Sequence, residues 1–222
     1  MVSLLPEYLR MFYIKTLSNF NEIEDNLEPY EKYRMAYVKK EYKLVSENFI
    51  QQAKWFSENC MPSFKELLDV SLISSGLPLL FFTALMGAGQ AINNEAFECA
   101  LNMPDMIRAN AKVGRFLNDI ASYKLGKCKN DAASTVECYM KEHHTTGEEA
   151  VAAIAMMAEQ AWRRINRAFI EMERTAEPAA QCLLSTTRML ESYYLHGNKD
   201  GLTYGRDLKE LITLLFLKQV HV

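Results

Sequence analysis

Two small polar side chains, Asn118 and Ser122, stand one helical turn apart in the segment Arg-Phe-Leu-Asn-Asp-Ile-Ala-Ser-Tyr-Lys-Leu-Gly at residues 115–126. If this segment is helical, Asn118, Ser122 and position 126 lie on adjacent turns of one face, because a step of four residues rotates by only about 40°. Mg²⁺ takes oxygen ligands such as these, together with waters and substrate phosphates. Position 126 is a glycine, which supplies no ligand. The spacing therefore predicts a partial metal site.

The same residues also have a simpler interpretation. Asn118 and Asp119 can be ordinary polar residues that face solvent near the end of an apolar-faced helix, and Ser122 can hydrogen-bond to the carbonyl oxygen four residues earlier. The spacing alone leaves both interpretations open.

The elements that must position these residues are helices. Apolar residues recur at helical spacing along most of the chain, and no segment alternates as a strand would. We predict a single all-α domain. Its helices are expected at residues 6–23, 30–58, 64–88 with an internal break, 105–125, 132–142, 146–173, 178–195 and 206–220. Asn102-Met-Pro-Asp105 and Thr145-Thr-Gly-Glu-Glu149 are start signals for two of them, and Gly197-Asn198 is a stop signal.

The segment from Val70 to Met86 is largely apolar and lies in a stretch without charged residues, so a transmembrane span must be weighed. Ser74-Ser75-Gly76 and Pro78 interrupt it near its middle, and glycine and proline both weaken a helix. We therefore expect a buried, broken helix and no membrane span.

Composition excludes several classes of function. The 222 residues contain 49% hydrophobic and 24% charged residues, which is typical of a folded globular chain. A net charge of −3 without a basic stripe argues against nucleic-acid binding. The five cysteines, Cys60, Cys99, Cys128, Cys138 and Cys182, are scattered without a Cys-x-x-Cys pair, so we expect reduced thiols. The first residues have no features of a targeting peptide, so we expect a cytoplasmic location unless Met1 is internal to a longer protein.

The segment at 115–126 resembles the second metal-binding motif of plant class I terpene synthases, Asn/Asp-Asp-x-x-Ser/Thr-x-x-x-Glu, with an arginine three residues ahead. The resemblance to sesquiterpene and monoterpene synthases covers essentially the whole chain. Further segments that carry it lie, in the family's order, at residues 5–9, 53–56, 62–64, 75–80, 136–140, 161–162 and 194–201. It implies the C-terminal part of the α-helical isoprenoid synthase domain, without the early helices.

The resemblance also implies roles for individual residues. Asn118, Asp119 and Ser122 would form the metal site for Mg²⁺, or Mn²⁺, with Asp119 in a supporting position. Arg115, together with Asn118, would bind the substrate diphosphate. Tyr194 and Asp200, with His196 between them, would cap the pocket from the loop after the helix when substrate binds. A surface turn is the alternative for that loop, because Tyr194 and Asp200 are one residue further apart than in similar members and Leu202 stands where an aromatic residue is frequent.

Two further features of the family concern the hydrocarbon pocket and the metal shell. The break near Gly76 would expose small side chains and carbonyl groups to the pocket, and Trp55 and Trp162 are candidate liners that can equally be core residues. Gly126 stands where the family has a glutamate, so Mg²⁺ should bind weakly unless water, Asp131 or the diphosphate completes the shell.

The family's aspartate-rich motif, Asp-Asp-x-x-Asp, does not occur anywhere in the 222 residues. Three hypotheses follow. In the first, the chain is a terpene synthase that converts farnesyl or geranyl diphosphate. In the second, it is an inactive fragment that still binds Mg²⁺ or diphosphate. In the third, it is a helical interaction module that pairs with a chain supplying the missing helices. Apolar faces left bare by those helices would favour self-association.

Overall fold

The computed structural model describes residues 2–126, 133–194, 200–202 and 208–217. These residues contain ten α-helices, and no strand occurs among them. The helices are α1 (Glu7–Asn26), α2 (Arg34–Ser57), α3 (Phe64–Ser74), α4 (Leu77–Gly87), α5 (Asn94–Leu101), α6 (Pro104–Lys124), α7 (Thr135–His143), α8 (Gly147–Glu171), α9 (Glu177–Tyr193) and α10 (Lys209–Phe216). The predicted all-α class is confirmed. His196, Asp131, Cys128 and the stop signal at 197–198 lie outside the described residues.

Helix α6 is the central element, because it packs against α3, α4, α7, α8 and α9. Its buried residues include Met106, Val113, Phe116 and Ile120, which recur at the spacing of a helix. Gly114 allows close packing here, since a Cβ at this position would lie 2.4 Å from Leu77 Cδ1. The helix that carries Asn118 and Ser122 is therefore held on several sides.

The predicted break in the apolar segment is confirmed at Gly76. This glycine has φ +72°, in the left-handed region that favours glycine, and it separates α3 from α4. Ser75 supports the break, because its hydroxyl donates to Leu72 O at 2.6 Å and accepts from Leu77 N at 3.3 Å. The stretch Phe64–Gly87 has the length and hydropathy of a membrane helix, but it is bent at Gly76, and 44% of its most apolar window is buried inside the protein. The absence of a membrane span stays a prediction.

The start of α8 was predicted correctly. Thr146 accepts a hydrogen bond from Glu149 N, and the Glu149 carboxylate accepts from Thr146 N in return, which is a capping box. Ser63 and Ser134 begin α3 and α7 in the same way. Helix α7 consequently begins at Thr135, three residues later than predicted.

Helix α5 was not predicted. It has only eight residues, too few for a strong periodic signal. Asn93 begins it by accepting a hydrogen bond from Ala96 N at 2.8 Å. Its inner face, which includes Phe97 and Ala100, is completely buried, so tertiary packing supplies most of its stability.

Helix α1 lies largely uncovered. None of its residues is buried, and Tyr8, Met11 and Phe12 are 80%, 67% and 68% exposed. Its C-terminal half contacts α2, where Phe20 and Tyr42 stack edge to face with ring centroids 5.0 Å apart. The sequence analysis expected bare apolar faces without locating them, and α1 carries one. Self-association through it stays a prediction.

The four cysteines within the described part of the chain, Cys60, Cys99, Cys138 and Cys182, are free thiols, as predicted. Cys138 is buried beside Pro62, and burial raises the pKa of its thiol to about 12. A thiol that stays protonated in this way is a structural residue, since the thiolate is the reactive form.

Candidate functional site

Asn118 and Ser122 lie on successive turns near the C-terminal end of α6, as predicted. The Asn118 side-chain nitrogen donates a hydrogen bond to the Tyr194 hydroxyl oxygen at 2.9 Å, which ties the motif to the end of α9. Ser122 is buried, and Asn118 is half-buried. With its nitrogen directed at Tyr194, Asn118 can present its amide oxygen to a metal.

Asp119 lies on the inner side of the motif and is completely buried. Its Oδ2 accepts hydrogen bonds from Arg115 Nε at 2.8 Å and from Thr135 N at 2.8 Å. Thr135 is the first residue of α7, so the carboxylate satisfies one of the unpaired N–H groups at a helix start. This geometry favours the supporting position for Asp119, and a direct metal bond stays a prediction.

Arg115 completes the connection between α6 and α7. Its guanidinium also donates to Ala133 O at 3.2 Å, and only 10% of the side chain is exposed. The arginine and Asp119 therefore hold the segment immediately before α7 against the motif. A diphosphate role for Arg115 stays a prediction, and it would need the guanidinium to reach substrate from this buried pair.

Tyr194 and Asp200 meet at the end of α9, despite their unusual separation in sequence. They are 2% and 1% exposed, and Gly201 N donates to Tyr193 O at 2.9 Å, which brings the chain back to the helix. Burial, with a contribution from the nearby Asp200 charge, raises the pKa of Tyr194 to about 12. The phenol is therefore neutral at physiological pH and lies against the motif.

We expect Tyr194→Phe to change the alkaline stability of the protein. A raised phenol pKa favours the folded state below pH 10, and this contribution is lost as the pH rises from 10 towards 12. The variant has no phenol that ionises on unfolding. Its free energy of unfolding, measured by urea titration, should therefore fall less steeply between pH 10 and pH 12. At neutral pH it should be less stable by about 1 kcal/mol because the hydrogen bond with Asn118 is gone. Tyr30→Phe, at an exposed position, is the control. Equal slopes for both variants would contradict the prediction.

Position 126 differs from the expectation. Helix α6 ends at Lys124, and Gly126 follows with φ +63°, so the position does not continue the helical face of Asn118 and Ser122. Gly126 N donates to Tyr123 O at 3.0 Å, which closes the final turn. The prediction that position 126 lies one turn beyond Ser122 was wrong, because a left-handed glycine terminates the helix there.

The pair of variants Gly126→Glu and Gly126→Gln separates charge from strain at this position. No atom lies within 4 Å of a Cβ built at Gly126, so both side chains have space, but the left-handed backbone should lower the free energy of unfolding by about 1 kcal/mol in each. We expect only the glutamate variant to bind Mg²⁺ more tightly than the wild type in the presence of a diphosphate analogue, as measured by calorimetry. Equal Mg²⁺ affinity for the two variants would show that the carboxylate does not reach the site.

The donor set fits a partial metal site. Asn118 and Ser122 supply an amide and a hydroxyl oxygen, and the buried Arg115–Asp119 pair fixes the helix behind them. Within the described ranges, no group of three His, Cys, Asp or Glu side chains could hold a metal by itself. Any Mg²⁺ bound here would therefore need water and diphosphate oxygens to complete its coordination.

A cleft of about 450 Å³ extends along the same side of α6, towards its N-terminus, and we call it the apolar cleft because most of its walls are apolar, although Lys40, Glu41 and Arg108 also line it. Ile107 and Ala111 line it, and they precede Asn118 by eleven and seven residues, which places each of them within about 20° of Asn118 around the helix, on opposite sides of it. Leu72, Ile73, Pro78 and Phe82 line the opposite wall around the break at Gly76. The volume is within the range of small-molecule sites. The sequence analysis missed Ile107 and Ala111, although their spacing from Asn118 was visible.

The two tryptophans lie elsewhere. Trp55 lines a smaller cleft of about 210 Å³ with Ala133 and Glu137. Trp162 packs against the core and donates from Nε1 to Glu191 at 2.6 Å. Neither residue lines the apolar cleft beside Asn118, so the alternative of a packing role is favoured for Trp162.

Comparisons with known proteins show which family this chain is similar to. A family model described as the terpene synthase family, metal binding domain, matches residues 1–164. Eudesmanediol synthase of Zea mays is 53% identical over 219 residues, which are 99% of this chain and 39% of that protein. Tau-cadinol synthase of Zea mays is 39% identical over 219 residues, covering 99% of this chain and 40% of that protein.

Solved structures show the same fold. Isoprene synthase from grey poplar leaves superimposes with a TM-score of 0.84 at 22% identity, over 99% of this chain and 41% of that one. A second structure of that enzyme, in complex with three Mg²⁺ ions and dimethylallyl-S-thiolodiphosphate, gives a TM-score of 0.78 at 26% identity, over 93% and 40% of the two chains. The present chain thus spans about two-fifths of the length of these relatives. With a family model that matches residues 1–164 and relatives up to 53% identical over 99% of the chain, it belongs to the terpene synthase family.

Proposed function

We propose that this chain forms the Asn118–Ser122 half of a terpene synthase active site, in which a prenyl diphosphate is bound through a divalent metal, ionised and cyclised with release of diphosphate. The observation that carries the proposal is the position of these two side chains, which are held by the Asn118–Tyr194 hydrogen bond and by the buried Arg115–Asp119 pair. They lie on the same face of α6 as Ile107 and Ala111, which line an apolar cleft about two helical turns away. A polar end and an apolar end on one helix face match the two ends of a prenyl diphosphate.

Each of these residues would have a separate role in ionising the substrate or in binding its hydrocarbon chain. Ionisation of an allylic diphosphate produces a carbocation and a highly charged leaving group, so the charge must be neutralised and water excluded. Asn118 and Ser122 would hold the metal, which supplies positive charge to the diphosphate. Arg115 would add a guanidinium for diphosphate oxygens. Ile107, Ala111 and Phe82 would surround the hydrocarbon, and Tyr194 and Asp200 would close the site from the end of α9.

The proposed substrate and metal are inferred from other members of the family. The grey poplar enzyme holds three Mg²⁺ ions and a thiolodiphosphate analogue, which supports a divalent metal and a prenyl diphosphate here as well. We propose Mg²⁺, with Mn²⁺ as the alternative, and farnesyl diphosphate, with geranyl diphosphate as the alternative. A cytoplasmic location stays a prediction.

The test is incubation of the purified chain with Mg²⁺ and farnesyl or geranyl diphosphate, in which diphosphate release and volatile hydrocarbons are followed together. Product above that of Asn118→Ala/Ser122→Ala would support catalysis by this chain. If a demonstrably folded chain gives no product, catalysis by the chain alone is excluded and the second candidate is favoured.

That second candidate is an inactive fragment or a helical interaction module. Two observations favour it: the sequence contains no Asp-Asp-x-x-Asp motif, and the apolar residues of α1 are exposed. A module of this kind would self-associate or bind a helical partner through α1. Sedimentation of the wild type and of Met11→Lys/Phe12→Lys distinguishes this candidate, since only the wild type should form larger species.

A further inference from the structure

A groove between α6 and α8 lies on the other side of α6 from the metal motif. It consists of two adjoining clefts of about 430 and 250 Å³ that share Lys112 and Arg164, and we call it the α6–α8 groove. Lys112 precedes Asn118 by six residues, which places it about 120° away around the helix. The groove is therefore separate from the Asn118–Ser122 site.

The two ends of the groove differ in chemistry. The larger cleft has four cationic side chains on its walls, Arg108, Lys112, Arg164 and Arg167, with the carboxylates of Asp105 and Glu171. The smaller cleft is mainly apolar, and Leu68, Phe116, Met157 and Ala161 line it. An elongated groove with a basic end and an apolar end is suited to an amphiphilic anion.

Two of the four cations already have carboxylate partners. Arg108 donates to Asp69 at 2.6 Å, and Arg167 lies 3.8 Å from Glu171. Asp105 lies in the first turn of α6, where its charge is favourable at the helix N-terminus. The charges that remain without an ion pair among the described residues are those of Lys112 and Arg164, the two residues that both clefts share.

The sequence provides no carboxylate for these two cations within their own helices. The positions three and four residues from Lys112 are Arg108, Ala109, Arg115 and Phe116, and those from Arg164 are Gln160, Ala161, Arg167 and Ala168. Exposed helix surfaces usually pair such charges, as Arg163 does with Glu159. Here like charges are neighbours instead, which costs free energy unless an anion is present.

The pKa of Lys112 is also affected by these neighbouring positive charges. The ammonium group is half-buried, and burial together with the charges of Arg108 and Arg164 lowers its pKa, against a smaller opposite effect of Asp69. A bound anion would offset this unfavourable positive potential.

We propose that the α6–α8 groove binds an amphiphilic organic anion, with its phosphate or carboxylate head between Lys112 and Arg164 and its hydrocarbon tail in the cleft lined by Leu68, Phe116 and Met157. This site is distinct from the Asn118–Ser122 pair and needs no metal, although Arg108 lines both its basic cleft and the apolar cleft of the proposed active site.

The experiment is calorimetric titration of the full chain with dodecyl phosphate and with dodecanoate, below their micelle concentrations, in the presence of a chelator that removes divalent metals. The groove variant is Lys112→Met/Arg164→Gln, which keeps the lysine stem and leaves the buried surface intact. The control is Lys43→Met/Arg163→Gln, which removes the same charge at two highly exposed positions. Circular dichroism establishes that each variant is folded, and Arg164→Gln alone, an exposed substitution, serves if the double variant does not fold.

We expect saturable binding to the wild type, weakened about tenfold in the groove variant and unchanged in the control, since a charge-assisted hydrogen bond is worth roughly this factor. Binding of these anions should persist in Asn118→Ala/Ser122→Ala. A loss of terpene synthase activity in that variant would therefore bear on the proposed active site and not on the groove. Whichever of dodecyl phosphate and dodecanoate binds more tightly identifies the head group that the site prefers. The proposal is overturned if the wild type shows no saturation, if the groove variant and the control lose affinity equally, or if inorganic phosphate binds as tightly as dodecyl phosphate.

Discussion

Asp119→Ala is expected to lower the free energy of unfolding by about 3–5 kcal/mol, because it leaves a buried cation without its partner. The carboxylate accepts from both Arg115 Nε and Thr135 N, each at 2.8 Å, and it is completely buried. Its loss removes the hydrogen bond from the first residue of α7 as well as the charge balance of Arg115. The hydrogen bond from Arg115 to Ala133 O remains, so the segment before α7 should be held less tightly against Asn118 and Ser122.

Urea unfolding followed by circular dichroism measures this effect. Asp69→Ala is the matched control, since it removes a carboxylate from an ion pair with Arg108 in which both side chains are about half exposed. A surface pair of this kind contributes about 0–1 kcal/mol. If Asp119→Ala lowers the free energy of unfolding no more than Asp69→Ala does, the buried Arg115–Asp119 pair does not organise the site as we describe.

Phe97→Ala is the second substitution with a large expected effect, about 3–5 kcal/mol of lost stability. The ring is completely buried and contacts Tyr33, Tyr37 and Phe82, with centroids 5.9, 5.9 and 6.1 Å away, and the Arg34 guanidinium lies 5.1 Å from its centroid. Tyr37 and Phe82 also line the apolar cleft. The cavity left by Phe97 should therefore loosen the wall of the proposed hydrocarbon site.

Two measurements check this prediction. Urea unfolding gives the stability change, with Phe49→Ala, which truncates a ring that is 55% exposed, as the control. Affinity for a farnesyl diphosphate analogue should fall in Phe97→Ala and stay constant in Phe49→Ala. Similar stability losses for the two variants would mean that α5 is not anchored by this ring.

The sequence predicted those parts of the fold that depend on local interactions. Thr146 and Glu149 form a capping box within four residues, and Gly76 adopts a left-handed conformation that few other residues accept. Such signals are complete in a short stretch of chain, so they can be recognised before any tertiary contact is known.

The missed features depend on contacts between distant residues. Helix α5 is short, and it is stabilised by the burial of Phe97 among residues from α2 and α4. The hydrogen bond from Thr135 to Asp119 joins residues that are sixteen positions apart, and nothing in the local pattern distinguishes this acceptor from an ordinary surface aspartate. At Gly126, the family motif suggested a helical position, whereas the glycine itself ends the helix.

The placement of the site residues was predicted in outline. The sequence indicated that Asn118 and Ser122 share a face, and the family resemblance implied that Tyr194 and Asp200 cap the pocket, with a surface turn as the alternative. In the structure both residues are buried, and the Tyr194 hydroxyl lies 2.9 Å from the Asn118 side-chain nitrogen. The depth at which these groups are buried, which determines the pKa of Tyr194, follows from the packing of α6 against α9 and could not be deduced from spacing.

The most direct test of the proposed active site is calorimetric binding of a non-ionisable farnesyl thiodiphosphate to the chain, with and without Mg²⁺. We predict saturable binding that requires Mg²⁺ and that weakens by about tenfold or more in Asn118→Ala/Ser122→Ala, because both oxygen ligands are lost. Binding that is equally tight without Mg²⁺, or equally tight in the double variant, would contradict the assignment of Asn118 and Ser122 as the metal-binding half of the site.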